Sequence, residues 1–204
     1  MNRFRFALLA VAVLVVGLVA TASFASPLRH AKQAVTGLTI RWDIISLPGG
    51  APPGPIKAGG VASALAPDGT KITLTGSGTF GGLATKVTGA GNWTTYDPSG
   101  AQIGTGTYKV VSLVSFIQAN FQSPPPVIVD NIDPNHKAAN GTAVLRIAYS
   151  DGSQGVLTVG CHGPGAPPGI FEGIAVTKGY KTYYNVQAPA GGVDANRTIF
   201  HVGV

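Results

Sequence analysis

Hydrophobic and polar residues alternate along much of this chain. The alternation of apolar or glycine residues with threonine and serine is regular from Lys71 to Phe80 and returns around Trp93 and Tyr108. Because successive side chains of a strand point to opposite faces, this pattern predicts strands with one buried and one wet face. After residue 25 no window has the spacing of an amphipathic helix. The pattern predicts an all-β protein.

One pentapeptide pattern, Gly-x-Gly-[Thr/Asn]-aromatic, occurs three times, at 76–80, 89–93 and 104–108. In each copy the two glycines and the aromatic residue share one face of a strand. A pair of glycines leaves a groove that an aromatic ring of a neighbouring strand can cover, and it lets the sheet coil tightly. We therefore expect an antiparallel meander that closes into a barrel, with a β-sandwich as the alternative.

Turn signals divide the chain after residue 36 into about nine or ten strands. Pro67-Asp68-Gly69-Thr70 and Asp97-Pro98-Ser99-Gly100 have the composition of tight turns. Residues 119–141 include three consecutive prolines and are predicted to form a crossover loop.

The strand predicted from Ala101 to Ile117 has two apolar faces at its far end. Its even positions, through Val114 and Phe116, continue the glycine–aromatic face. Beyond Val110 the odd positions are apolar too. This end of the strand is therefore expected to be covered on both sides.

The first 25 residues have the organisation of a signal peptide. Arg3 and Arg5 precede the apolar run from Phe6 to Ala20, and Ser23-Phe24-Ala25 fits a cleavage site. We therefore expect a signal helix at 1–25, an N-terminal arm at 26–36 and a single β-barrel-like domain at 37–204. This organisation predicts export through the Sec pathway, to the periplasm or the medium. The alternative is an uncleaved membrane anchor, since the run is just long enough to span a bilayer.

Composition and charge narrow the class of protein. Hydrophobic residues make up 45% of the chain and charged residues 11%, which indicates a globular domain. The formal net charge is +6, but the basic residues after the signal segment are scattered singly. Nucleic-acid binding requires a clustered basic stripe, so it is not expected. Cys161 is the only cysteine, which excludes an internal disulfide, and its apolar strand predicts burial.

Three residues are candidates for acid–base chemistry. Glu172 is the only glutamate and has apolar neighbours, His201 lies in the last predicted strand, and Tyr108 ends the third glycine repeat. An apolar environment raises the pKa of a carboxyl group, which makes it a potential general acid. Each residue has a structural alternative, such as a rim position, an ion pair or a place in the barrel wall.

Oxygen-bearing residues are concentrated in one loop, where Asp130, Asp133 and Asn135 are the candidate metal ligands. Asn131, Asp133 and Asn135 are spaced as in a calcium loop. His136 stands where such a loop requires glycine, and Thr142 stands where it requires a bidentate glutamate. A structural turn is therefore the expected role, and no metal or cofactor is predicted.

Four aromatic residues are candidates for ligand binding, because aromatic rings can stack on a sugar or a similar ligand. They are Trp42, Tyr96, Tyr183 and Tyr184.

The motifs GSGTF, VTGAGNW, GTGTYKVVSLVSF, LTVGC, FEGI and RTIFHV cover roughly Thr75 to Val202. In these motifs the chain resembles a group of secreted bacterial β-rich proteins with no known activity. The resemblance implies a β-rich fold and an exported location. The string Gly104-Thr105-Gly106-Thr107-Tyr108 is also similar to dirigent and allene-oxide-cyclase barrels, but no catalytic residue transfers.

These observations favour an exported, non-enzymatic β-domain that binds a small ligand or a surface partner. The alternative is a small enzyme of cyclase or isomerase type that works inside the barrel. Contact with a membrane is expected only if the N-terminal segment is retained.

Overall fold

The computed structural model describes residues 37–48, 54–81, 86–123, 128–186 and 196–203; the predicted signal helix and N-terminal arm lie outside them. The described residues form strands and loops, and they include no helix long and apolar enough to cross a membrane. In chain order the strands are β1 (Thr39–Ser46), β2 (Lys57–Ala58), β3 (Ala62–Leu65), β4 (Lys71–Leu74), β5 (Ser77–Gly81), β6 (Ala90–Tyr96), β7 (Gln102–Phe121), β8 (Lys137–Tyr149), β9 (Gln154–Cys161), β10 (Gly173–Lys178), β11 (Lys181–Tyr183), β12 (Asn185–Val186) and β13 (Arg197–Val202).

Six antiparallel strands close into a barrel in the order β1, β5, β6, β7, β8 and β13, with β13 returning to β1. The predicted all-β barrel is confirmed, and the sandwich alternative is not the observed architecture. The thirteen strands of the described residues exceed the expected nine or ten. Two of the extra strands have only two residues, and the predicted strand 71–80 is interrupted between Leu74 and Ser77.

Six of the remaining strands extend the sheet on both sides of the barrel, and β2 pairs with β1. Strands β9, β10 and β11 continue it from β8, whereas β4, β3 and β12 continue it from β6. Only Tyr184 separates β11 from β12, so the two extensions meet through this short connection. Strand β3 also contacts β10. The turn between β10 and β11 therefore comes close to β6 and β7, where the candidate site lies.

Apolar side chains fill the barrel interior. Trp42, Phe80 and Phe200 are almost completely buried. The Phe116 ring packs against Phe80 and Phe200 with centroid distances of 5.1 Å to each. One continuous cluster includes these rings and the buried aliphatic residues of the sheet extensions, such as Leu157. The barrel and its extensions therefore share this cluster, and a second, smaller cluster of Ile45, Ile56 and Ile199 packs beside β1 and β13.

The aromatic residues of the three glycine repeats are buried as predicted, and the third repeat has both of its glycines inside a strand, whereas Gly76 and Gly89 lie just outside β5 and β6. Phe80, Trp93 and Tyr108 are all buried in the core. A Cβ atom on Gly104 would lie 3.1 Å from the Trp93 ring, and one on Gly106 would lie 2.9 Å from its Nε1. These two glycines of β7 therefore give the ring of the adjacent strand its space, as expected from the repeat.

Two predictions about β7 are wrong: that the far end of the strand is covered on both sides, and that residues 119–141 form a loop. Register shifts follow Val110, Leu113 and Gln118 where β7 pairs with β8, and each adds one residue to β7. Because a bulge reverses the alternation, Val114 is 51% exposed although Phe116 is buried. Among the odd positions, Leu113 is partly buried against the core, whereas Val111 and Ile117 are each 58% exposed.

The predicted crossover loop is shorter than residues 119–141. Strand β7 continues to Phe121, and β8 already begins at Lys137. The extra residues of β8 pair with both β7 and β13, which completes the barrel.

Candidate functional site

A pocket of about 270 Å³ lies between β6, β7 and the β10–β11 hairpin. Side chains from four separate parts of the sequence surround it, because the sheet extension brings the hairpin back over β6 and β7. It is lined by Trp93, Thr95, Ile103, Gly104, Asp151, Lys178, Tyr180, Lys181 and Tyr183.

Lys178 occupies the inner part of the pocket. Its Nζ atom lies 4.3 Å from the centroid of the Trp93 ring and 5.0 Å from that of Tyr149, which places the ammonium against two aromatic faces. Nζ also bonds to the Asp151 carboxylate and donates to Ser153 Oγ at 3.0 Å. These contacts hold a partly buried cation beside an aromatic wall.

A second lysine–carboxylate pair lies at the rim. Lys181 Nζ donates to Asp68 Oδ2 at 2.7 Å and to Thr70 Oγ1 at 3.1 Å. The hydrogen bond from Lys181 lowers the pKa of Asp68 below its ordinary value. In the same way, the hydrogen bond from Lys178 lowers the pKa of Asp151 to about 2. Both carboxylates are therefore ionised at neutral pH, and each ammonium has a counter-ion.

Exposed apolar side chains form the outer walls. Tyr180 lies in the turn between β10 and β11 and is 99% exposed, and Ile103 of β7 is 58% exposed. The Gly179 φ angle of 58° allows the tight turn that projects Tyr180 beside Lys181. The pocket thus combines an available ring face with paired donors and acceptors.

The four aromatic candidates are in different environments. Tyr183 is buried and lines the pocket. Tyr184 is 59% exposed but does not line it, and Tyr96 is half-buried at the end of β6. Trp42 is fully buried in the barrel, where its Nε1 has no hydrogen-bond partner among the described residues.

The three acid–base candidates lie in different parts of the fold. The Tyr108 hydroxyl donates to Thr75 O at 2.8 Å, and burial raises the pKa of Tyr108. His201 is fully buried on the outer side of β13, with its Nε2 atom 2.6 Å from Asp130 Oδ2. In the described part of the chain, Tyr108 and His201 share no hydrogen-bond partner with each other or with Glu172.

Glu172 connects two strand ends. Its carboxylate accepts the backbone N–H of Thr198 at 2.8 Å and the backbone N–H of His162. Burial raises the pKa of Glu172 to about 7, against the opposing effect of these two donors. The neighbouring Cys161 is buried, and desolvation raises the pKa of its thiol, so it is not a nucleophile at neutral pH.

The candidate metal ligands bond to other protein groups. Asp130 accepts from the N–H of Ile132 and contacts His201, while Asp133 Oδ1 lies 2.8 Å from His136 Nδ1. Asn135 lies exposed in the same loop. Among the residues that the structure describes, no group of three or more His, Cys, Asp or Glu side chains is arranged to hold a metal ion.

Of the pocket residues, the sequence patterns point to Tyr183 as a candidate for ligand binding. They do not point to Tyr180, Lys178, Lys181 or Asp151. The segment Lys178-Gly179 signals a turn, and Tyr180 follows it directly. That signal places an aromatic ring at an exposed turn, although it does not show which strands lie opposite.

Comparisons of the chain with models of protein families, with curated proteins and with solved structures find no match.

Proposed function

We propose that this chain is an exported, non-enzymatic binding domain whose pocket between β6, β7 and the β10–β11 hairpin takes a neutral saccharide. The observation that carries the proposal is the combination of a fully exposed Tyr180 ring with two lysine–carboxylate pairs at one pocket.

The charges of the pocket favour a neutral ligand. Lys178 pairs with Asp151 and Lys181 pairs with Asp68, so these four groups have no net charge. An anion or a cation would have to compete with an existing partner. A sugar hydroxyl can instead donate to a carboxylate and accept from an ammonium, which satisfies both members of a pair.

The apolar walls favour a ligand with one apolar face. A pyranose ring presents C–H groups on one face and hydroxyls around its edge. Tyr180 and Ile103 offer apolar surface at the pocket mouth. A ring on this wall would place its hydroxyls towards the ionic pairs, as in sites that combine apolar walls with a few polar groups.

The alternative, an enzyme of cyclase or isomerase type inside the barrel, has less support. The side chains in the barrel are apolar and packed against each other. Tyr108, His201 and Glu172 each bond to a separate group, and none of them lines the pocket. No acid–base pair therefore faces a common space in the described residues.

The ligand proposal can be tested by NMR titration of the ¹⁵N-labelled protein. The panel contains neutral mono- and disaccharides, with sugar phosphates and amino sugars as charged comparators. We expect neutral members to shift the amide signals of Asp151, Tyr180 and Lys181. Tyr180→Ala should weaken binding roughly five- to tenfold, the effect of losing about one stacking contact.

The matched control is Tyr184→Ala. It removes an exposed tyrosine ring that lies directly after β11 and does not line the pocket. This variant should bind as tightly as the parent. If only the charged compounds of the panel shift these amide signals, the proposed ligand class is wrong, but the proposed role in binding is retained. If no member of the panel shifts these signals, the proposed function is wrong.

Export is tested separately by expressing the whole chain in a bacterial host. Mass spectrometry of the exported protein should find Ser26 as its first residue, as expected from cleavage after Ala25. Retention of residues 1–25 in a membrane fraction would support the anchor alternative.

A further inference from the structure

An exposed apolar stripe runs along the outer side of β7. We define the apolar stripe as Val111, Val114 and Ile117, whose exposed fractions are 58%, 51% and 58%. Single exposed hydrophobic residues are ordinary, but three on one face of one strand form a continuous feature. The bulges that turn Val114 outwards between Val111 and Ile117 create this continuity.

Basic residues accompany the stripe. Lys109 precedes it on the same exposed side of β7, and Arg146 lies on β8 in register with Ser112. Neither residue takes part in an ion pair among the described residues.

Acidic residues are absent from the strands that surround the stripe. The sequence contains no Asp or Glu at 98–129, 134–150 or 152–171, which includes all of β7, β8 and β9. An apolar stripe flanked by basic but not acidic residues is complementary to a surface with an apolar interior and negatively charged outer groups. A bilayer of anionic lipids has that organisation.

We infer that the apolar stripe and these two basic neighbours form a docking surface for an anionic lipid bilayer. The stripe side chains enter the interface between headgroups and acyl chains, and Lys109 and Arg146 contact lipid phosphates. This surface is separate from the pocket, and its role does not depend on the proposed function.

A second copy of the chain fits the surface less well. A symmetric dimer would set the stripe against itself, so that basic residues faced basic residues with no carboxylate between them. An acidic protein partner would satisfy the charges. However, protein interfaces are enriched in Tyr, Trp and Met at their centre, whereas the stripe is entirely aliphatic.

The inference is tested by sedimentation with vesicles of phosphatidylcholine alone and of phosphatidylcholine with phosphatidylglycerol. Every protein is used in the form that the expression host exports, so that all variants share one N-terminus. We expect association with the anionic vesicles only, and it should weaken as salt screens the charges. The triple variant V111T/V114T/I117T keeps β-branched side chains and should bind at least tenfold less.

The matched control L38T/V129T removes two aliphatic residues of similar exposure, 49% and 57%, outside the stripe. It should bind like the parent. A second variant, K109Q/R146Q, keeps the stripe and should lose roughly fivefold in binding per charge, the equivalent of about 1 kcal/mol each. Circular dichroism checks that all three variants retain the fold.

Several results would overturn the inference. They are absence of binding to anionic vesicles at low salt, equal loss in the triple variant and its control, and equal binding to both kinds of vesicle. A dimer seen by analytical ultracentrifugation and abolished in the triple variant would assign the stripe to a second copy. If the parent binds an acidic protein but not the vesicles, and the triple variant loses that binding, the stripe would be assigned to a protein partner.

Discussion

Gly91 shows how one missing side chain determines the approach of two strands. A Cβ atom at this position would lie 1.9 Å from Thr75 O and 2.8 Å from Gly76 Cα. The repeat predicts that its glycines make room for aromatic rings, and Gly104 and Gly106 do so for Trp93. At Gly91 the neighbour is backbone, which cannot move aside as a side chain can.

We predict that Gly91→Val destabilises the protein by at least about 3 kcal/mol, because β6 must separate from the 75–76 segment. Thr105→Val lies on the exposed face of β7 and should change stability by less than about 1 kcal/mol, even though Thr105 Oγ1 donates to Trp93 O. Urea unfolding of both variants measures the difference. Comparable losses would contradict the assignment of faces.

At the scale of the strand, the sequence predicts the burial pattern in the first half of β7 but not in the second half. Alternation assigns Tyr108 and Val110 to the interior, and both are buried. It fails at Val114, because a bulge adds a residue without a characteristic composition. Leu113, which is partly buried against the core, takes the inward position instead, and Phe116 follows it and packs between rings from β5 and β13.

Phe116 therefore connects three barrel strands, and we predict that Phe116→Ala costs about 3–5 kcal/mol of unfolding free energy. Phe121 provides the matched control on the same strand, since it is 43% exposed and its ring contacts Lys137 rather than the core. Phe121→Ala should cost less than about 1 kcal/mol. Thermal and urea denaturation compare the two variants, and equal losses would mean that Phe116 is not a core residue.

The pocket illustrates the limit of sequence analysis at this scale. Trp93, Asp151 and Lys178 belong to β6, to the turn after β8 and to the end of β10. Their proximity depends on the pairing order of the whole sheet. Alternation fixes which way each side chain points, but it does not state which strands are neighbours. Tyr183 was a candidate because aromatic residues are conspicuous, whereas the lysine–carboxylate pairs have no signature in the sequence.

For the whole molecule, Glu172 links the sheet extension to the barrel. Its carboxylate accepts N–H groups from His162, directly after β9, and from Thr198 of β13. The pKa of Glu172 is raised from 4.5 to about 7, chiefly by burial. The native state therefore holds this proton more tightly than the unfolded chain does.

Because of this difference, the contribution of Glu172 to stability is fully present below pH 4.5 and is lost as the pH rises through about 7. We predict that the unfolding free energy of the parent falls across this range relative to that of Glu172→Gln, which cannot titrate. Urea titrations of both proteins at several pH values measure the difference. A difference that stays constant, or that grows in favour of the parent with rising pH, would contradict the prediction.

The pairing of β1 with β13 has a practical consequence. Ile40 lies opposite Val202, and Gly203 N donates to Thr39 O at 2.9 Å, so residues at opposite ends of the domain are spatial neighbours. A short peptide could join Gly203 to Leu38, and the chain could be opened instead at the exposed turn 97–100. Such a circular permutant would retain every strand pair of the barrel and would place new termini next to the pocket end of β6 and β7, where a reporter domain could sense an occupant.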